Sequence, residues 1–199
     1  MFINIFFAIF VIKFKKGVNM SKNLAIIKSE NVEIIEAIEQ YFANKDVKIV
    51  YFDTLEEMNL SNIQIDLVTQ CSFVKTSNYS YFDNKKVPML NLHPSLLPSF
   101  AQEGALEVSF VSGIKVGGIT IHKVEPNMFY STILAQYPVL IGLTTHLEEY
   151  KQELIAVSRK LYPLVIDAIL SDKVFDFADL FKNSCSGHCG GCSGNHCSH

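Results

Sequence analysis

The 199-residue chain carries no excess of positive charge: 17 Lys and Arg stand against 20 Asp and Glu, a net charge of −3. The lysines are scattered, with no basic stripe among aromatics, which argues against nucleic acid as the main partner. No apolar run approaches the roughly 20 residues that a membrane-spanning helix needs. The N-terminal stretch Phe2–Ile12 is short and is broken by Asn4. Basic KFKK at 13–16 follows it, whereas a secretory signal carries its charge first and ends at a small-residue cleavage site, which is missing here. No internal repeat is visible. Up to residue 184 there is one cysteine, Cys71, so the body of the chain is not a disulfide scaffold.

The composition that remains is that of a globular domain, 49% hydrophobic and 19% charged, long enough for one sizeable core. Met20 opens MSKNLAII, which reads as the natural start of a cytosolic, strand-first domain. Residues 1–19 are therefore set aside as an upstream extension, with a membrane-surface anchor as the alternative. Short apolar runs at Leu24–Lys28, Val47–Phe52 and Asp66–Cys71 have buried-strand character. Between them, Val32–Ala43 places Ile34, Ile35, Ile38 and Phe42 on one helical face, with Ser29 or Asn31 as its cap. Thr54–Leu60 reads as a loop or a helical turn. Val87–Leu92 leads into a loop, and Glu103–Ser112 reads as a helix ended by Gly113. Val116–Val124 and Thr132–Leu140 read as strands, and Thr144–Leu170 as a long helix. Alternating strands and helices in the first half predict a parallel, doubly wound sheet.

At 91–100 the chain reads NLHPSLLPSF. Pro94 biases His93 toward extended backbone, and Pro94 and Pro98 stiffen the loop. This predicts His93 at the carboxyl edge of a parallel sheet, where open α/β folds bind ligands. Asn91, two residues earlier in a strand, shares its face. A neutral imidazole beside an amide donor can steady an oxyanion and move a proton. The same pattern also suits a strand-end histidine with a hydrogen bond and no chemistry. His122 reads as a structural strand residue and His146 as a solvated helix start.

NLHPSLLP resembles the signature of the folate-dependent formyltransferases, most closely those acting on phosphoribosylglycinamide in purine biosynthesis. Gly118-Ile-Thr-Ile-His122, Ile133-Leu-Ala-Gln136 with Pro138-Val139, and Leu161-Tyr-Pro163 resemble further family segments, so the likeness covers about residues 23–175. It implies a three-layer, Rossmann-like α/β fold with a mostly parallel sheet, and a small-molecule amine as substrate. It implies 10-formyltetrahydrofolate as formyl donor, Asn91 and His93 as catalytic residues, and a cytoplasmic location. In the family an Asp in a turn between the last two strands completes the set. Here Phe129 takes that place, Tyr130 and Ser131 replace glycines, and Glu125 is the turn's one carboxylate. The family's glycine-rich phosphate turn is Lys28-Ser-Glu-Asn31, without glycine. Of its folate-pocket segment, Cys71–Thr76 here, only Phe73 matches.

From Asn183 the chain reads NSCSGHCGGCSGNHCSH, without apolar periodicity. Cys185, Cys189, Cys192 and Cys197, with His188, His196 and His199 among them, suit zinc or another thiophilic metal. A flexible tail with idle thiols is the plain alternative. The expected organisation is an extension over 1–19, a formyltransferase-like domain over 20–175, and a linker with a disordered Cys/His-rich tail over 176–199. Two functions fit: a formyltransferase, or a non-catalytic metal-binding or partner-binding protein on that scaffold.

Overall fold

A computed structural model describes residues 21–73, 87–124 and 132–177. In chain order the elements are β1 (Lys22–Ile27), α1 (Val32–Phe42), β2 (Val47–Phe52), α2 (Leu55–Leu60), β3 (Leu67–Gln70), β4 (Met89–His93), α3 (Ala105–Val111), β5 (Val116–Val124), β6 (Ile133–Leu140) and α4 (Leu147–Leu170). The strands form one sheet in the order β2-β1-β3-β4-β5-β6. β2, β1, β3 and β4 run parallel, and β5 and β6 join antiparallel at the far side.

Strand periodicity makes this a three-layer molecule. On β1, Leu24 and Ile26 face the larger core with α1 and α4, while Ala25 and Ile27 face a smaller core with Leu55 and Met58 of α2. Ile34, Ile35, Ile38 and Phe42 are the buried residues of α1, the face expected from their spacing. α4 crosses behind the sheet. Its Tyr162 hydroxyl donates to the carbonyls of Gln70 on β3 and Leu90 on β4, at 3.0 and 3.1 Å, which ties the helix to the strand that carries the candidate site.

Three local expectations shift. Asn31 holds the N-cap position of α1, but its side chain does not cap the helix; Nδ2 donates instead to the Cys71 carbonyl at 2.8 Å. α3 begins at Ala105 rather than Glu103, because Gly104 is left-handed (φ 67°) and cannot be part of the helix. α4 begins at Leu147 rather than Thr144. Exposed His146 precedes it, and the Glu149 carboxylate accepts the His146 N–H at 2.9 Å, closing the helix start. Among the described residues, no helix is long and apolar enough to cross a membrane.

Candidate active site

β4 is a fully buried strand, MLNLH, running to the carboxyl edge of the parallel part of the sheet. Asn91 and His93 alternate with core residues Leu90 and Leu92, so the two polar side chains share one face. They are 3% and 5% exposed. Antiparallel β5 sets His122 opposite Asn91 and Thr120 opposite His93. The result is a buried group of one amide and two imidazoles drawn from two strands, with His93 and His122 ring centroids 6.5 Å apart.

Asn91 Nδ2 lies 3.5 Å from His122 Nε2, a long contact in which the amide donates and the imidazole nitrogen accepts. Burial, first, and then the charge His93 carries when protonated push His122 down to about 4, against an opposing hydrogen bond to the Lys123 backbone. His122 is therefore neutral at pH 7, with Nε2 as its acceptor. The Asn91 side-chain oxygen, Oδ1, is buried and accepts no hydrogen bond among the described residues. His93 Nε2 lies 2.9 Å from the Phe100 carbonyl; a carbonyl only accepts, so Nε2 carries the proton there. Phe100 stands at φ 53°, which turns its carbonyl back toward the strand end.

The structure brings together Asn91 and His93, as their spacing implies, and adds His122. The strand Gly118–His122 was legible in the sequence, but which residue it set against Asn91 was not, because register across strands is a non-local property. Phe73 lines a cavity of about 360 Å³ beside the carboxyl ends of β1 and β3, with Glu30, Glu103, Glu107 and Lys151. Lys28, near the same strand end, is exposed and paired with Asp53 at 2.8 Å. Glu30 accepts from the Ser72 hydroxyl. The segment 28–31 thus presents a carboxylate where the resemblance implied a phosphate turn. Lys75, Thr76, Glu125 and Phe129 lie outside the described residues. So do Cys185, His188, Cys189, Cys192, His196 and Cys197. Among the described residues, no three His, Cys, Asp or Glu side chains come together as a metal site.

A doubly wound sheet with an amide–imidazole group at the carboxyl edge of a central strand defines an α/β protein of the kind that binds small molecules at its strand ends. Comparison with known proteins narrows this further: residues 28–166 match the Formyl transferase family model, and the chain belongs to that family. It is 30% identical over 116 residues to phosphoribosylglycinamide formyltransferase of Bacillus subtilis, covering 58% of each chain. It is 27% identical over 125 residues to the human trifunctional purine biosynthetic protein adenosine-3, covering 63% of this chain and 12% of that one. The chain therefore spans less than two thirds of either relative. In fold it resembles the crystal structure of phosphoribosylglycinamide formyltransferase from Bacillus halodurans, with a TM-score of 0.60 and 24% identity, covering 75% of this chain and 96% of that one.

Proposed function

We propose that the chain moves a formyl group from 10-formyltetrahydrofolate to a small-molecule amine, with Asn91 and His93 at the reacting carbonyl. The observation that carries this is the buried face shared by Asn91, His93 and His122 at the end of β4. The names of the relatives supply the reaction class and purine biosynthesis; a cytoplasmic location belongs to the same proposal. The formyl donor is a substrate that supplies an activated carbonyl. The amine lone pair attacks the formyl carbon, the carbonyl electrons move to oxygen, and the N10 nitrogen leaves with a proton. Among the described residues Asn91 Nδ2 has a long contact to His122, so its N–H groups are suited to the oxyanion. His93, oriented by the Phe100 carbonyl at Nε2, stands at the same carbonyl and passes the proton between amine and leaving group. Phe73, beside the strand ends, is the residue proposed for the folate side. The acceptor itself is an open choice on which Glu30 bears, because a carboxylate repels a phosphate-bearing amine. The catalytic unit is assigned to residues 20–175.

A turnover assay with 10-formyltetrahydrofolate and a panel of amines tests this reading. His93→Ala should lower the rate by about 10²–10⁴-fold with the fold kept, and Phe129→Asp should raise it by returning a carboxylate to the turn. No turnover in the wild type, none recovered by Phe129→Asp, and no folate binding by titration would sink the proposal.

A second reading has its own support in the composition of residues 183–199. Four cysteines and three histidines among Gly, Ser and Asn form a ligand set for zinc or another thiophilic metal. Together with Phe129 at the position of the family's acid, this favours a non-catalytic metal-binding or partner-binding protein. Elemental analysis of protein purified without added metal checks it. Bound metal should disappear when Cys185, Cys189, Cys192 and Cys197 are all replaced by Ser; metal that survives the change rules out these ligands.

A further inference from the structure

Next to the row that holds Asn91 and His122 lies a second one. His93 on β4 faces Thr120 on β5, and Thr120 faces Gln136 on β6. Thr120 is wholly buried, and its hydroxyl has no spare capacity. It donates to the Ser95 carbonyl at 2.6 Å and accepts from the Leu97 N–H and from Gln136 Nε2, each at 3.0 Å. A hydroxyl offers one donor and two lone pairs, so all three are used. Gln136 spends its other amide N–H on the Leu97 carbonyl at 2.8 Å. Three hydrogen bonds thus fasten residues 95–97 of the loop to the β5–β6 ribbon, and the Gln136–Thr120 bond braces the ribbon itself.

The fastening reaches His93 through the rest of the loop. The Ser95 hydroxyl donates to the Ser99 carbonyl at 2.6 Å, and the Ser99 N–H to the Leu96 carbonyl at 3.1 Å. These bonds close the turn that carries Phe100, whose carbonyl accepts from His93 Nε2. The imidazole is therefore held at both ends, by its own strand and by a loop whose place is set from two strands away.

We infer that Thr120 and Gln136 are positioning residues for His93: they hold the 95–100 loop so that the Phe100 carbonyl fixes the orientation and tautomer of the imidazole. They touch no reacting atom themselves. The inference rests on reading His93 as the residue at the carbonyl, but its physical content needs no turnover.

The test is an NMR record of the histidine ring protons in the full chain, with the melting temperature taken on the same samples. In the wild type the His93 Nε2 proton should be seen and protected from exchange. Thr120→Val keeps the shape and removes the hydroxyl, so that proton should exchange at least about tenfold faster while the His122 ring signals stay in place. Thr120→Ser should restore the wild-type signal. Gln136→Leu, which leaves two of the three Thr120 bonds, should show the same change to a smaller degree. A folded Thr120→Val protein with an unchanged His93 signal overturns the inference. If Thr120→Val does not fold, Gln136→Leu decides by the same readout. If neither folds, the row is a stability element only, and the inference is overturned. A His93 signal that responds as expected in a protein without formyl transfer rejects the catalytic reading and leaves this one standing.

Discussion

His122 is the residue of the site whose protonation is shifted by its burial. Its imidazole is pushed to about 4 by burial and by His93, against an ordinary value near 6.5. In the unfolded chain it binds a proton near pH 6.5; in the folded chain it resists until about pH 4. The unfolded state thus holds more protons between those limits, so stability falls as pH drops from about 6.5 to about 4. The full effect corresponds to about 3 kcal/mol. Urea midpoints measured across that range should show the loss, and His122→Asn, which cannot be protonated, should flatten it. A wild-type curve that stays level would mean that His122 charges freely in the fold. At the same scale, Asn91 and His93 were legible because their spacing is local and period-two. The contact of Asn91 with His122 was not, because 31 positions separate them and only strand pairing brings them together.

The β5–β6 hairpin is the element that completes the site, and its fit to the loop depends on Gly118. That residue has φ 151°, and a Cβ there would meet Leu96 Cδ2 at 2.8 Å and Pro138 Cα at 3.0 Å, as well as the Tyr137 carbonyl. Gly113, at φ 74°, has open space around the same hypothetical atom. Gly118→Ala should therefore cost about 3 kcal/mol, from overpacking and a disfavoured backbone. Gly113→Ala should cost only about 1 kcal/mol, from the backbone alone. Chemical denaturation of both variants gives the comparison, and equal losses would show that the hairpin yields without cost. Helices were legible by their apolar period, and their ends less so. α3 starts late because of one left-handed glycine, and Asn31 leaves its capping role because the bond from its Nδ2 to the Cys71 carbonyl, forty positions away, sets the direction of the whole amide.

For the whole molecule, the larger core is closed by α1 and α4 packing together on β1, β3 and β4. Residues 1–19 lie outside the strand–helix pattern of the domain sequence. A chain starting at Met20 should melt within about 2 °C of the full chain, less than 1 kcal/mol for a domain of this size. A drop of more than about 5 °C would mean that Phe2–Ile12 packs on the core. The sequence by itself determined the alternation of strands and helices, the membership implied by NLHPSLLP, and the shared face of Asn91 and His93. These are short-range properties, set by residue type and by periods of two and 3.6. Only the tertiary structure decided that His122 joins that pair, that Thr120 and Gln136 hold the loop, and that Phe73 lines a cavity with Glu30 and Lys151. Each of these depends on which strands become neighbours and in what register. That is decided by burying both faces of one sheet at once, a condition on the whole chain rather than on any segment of it.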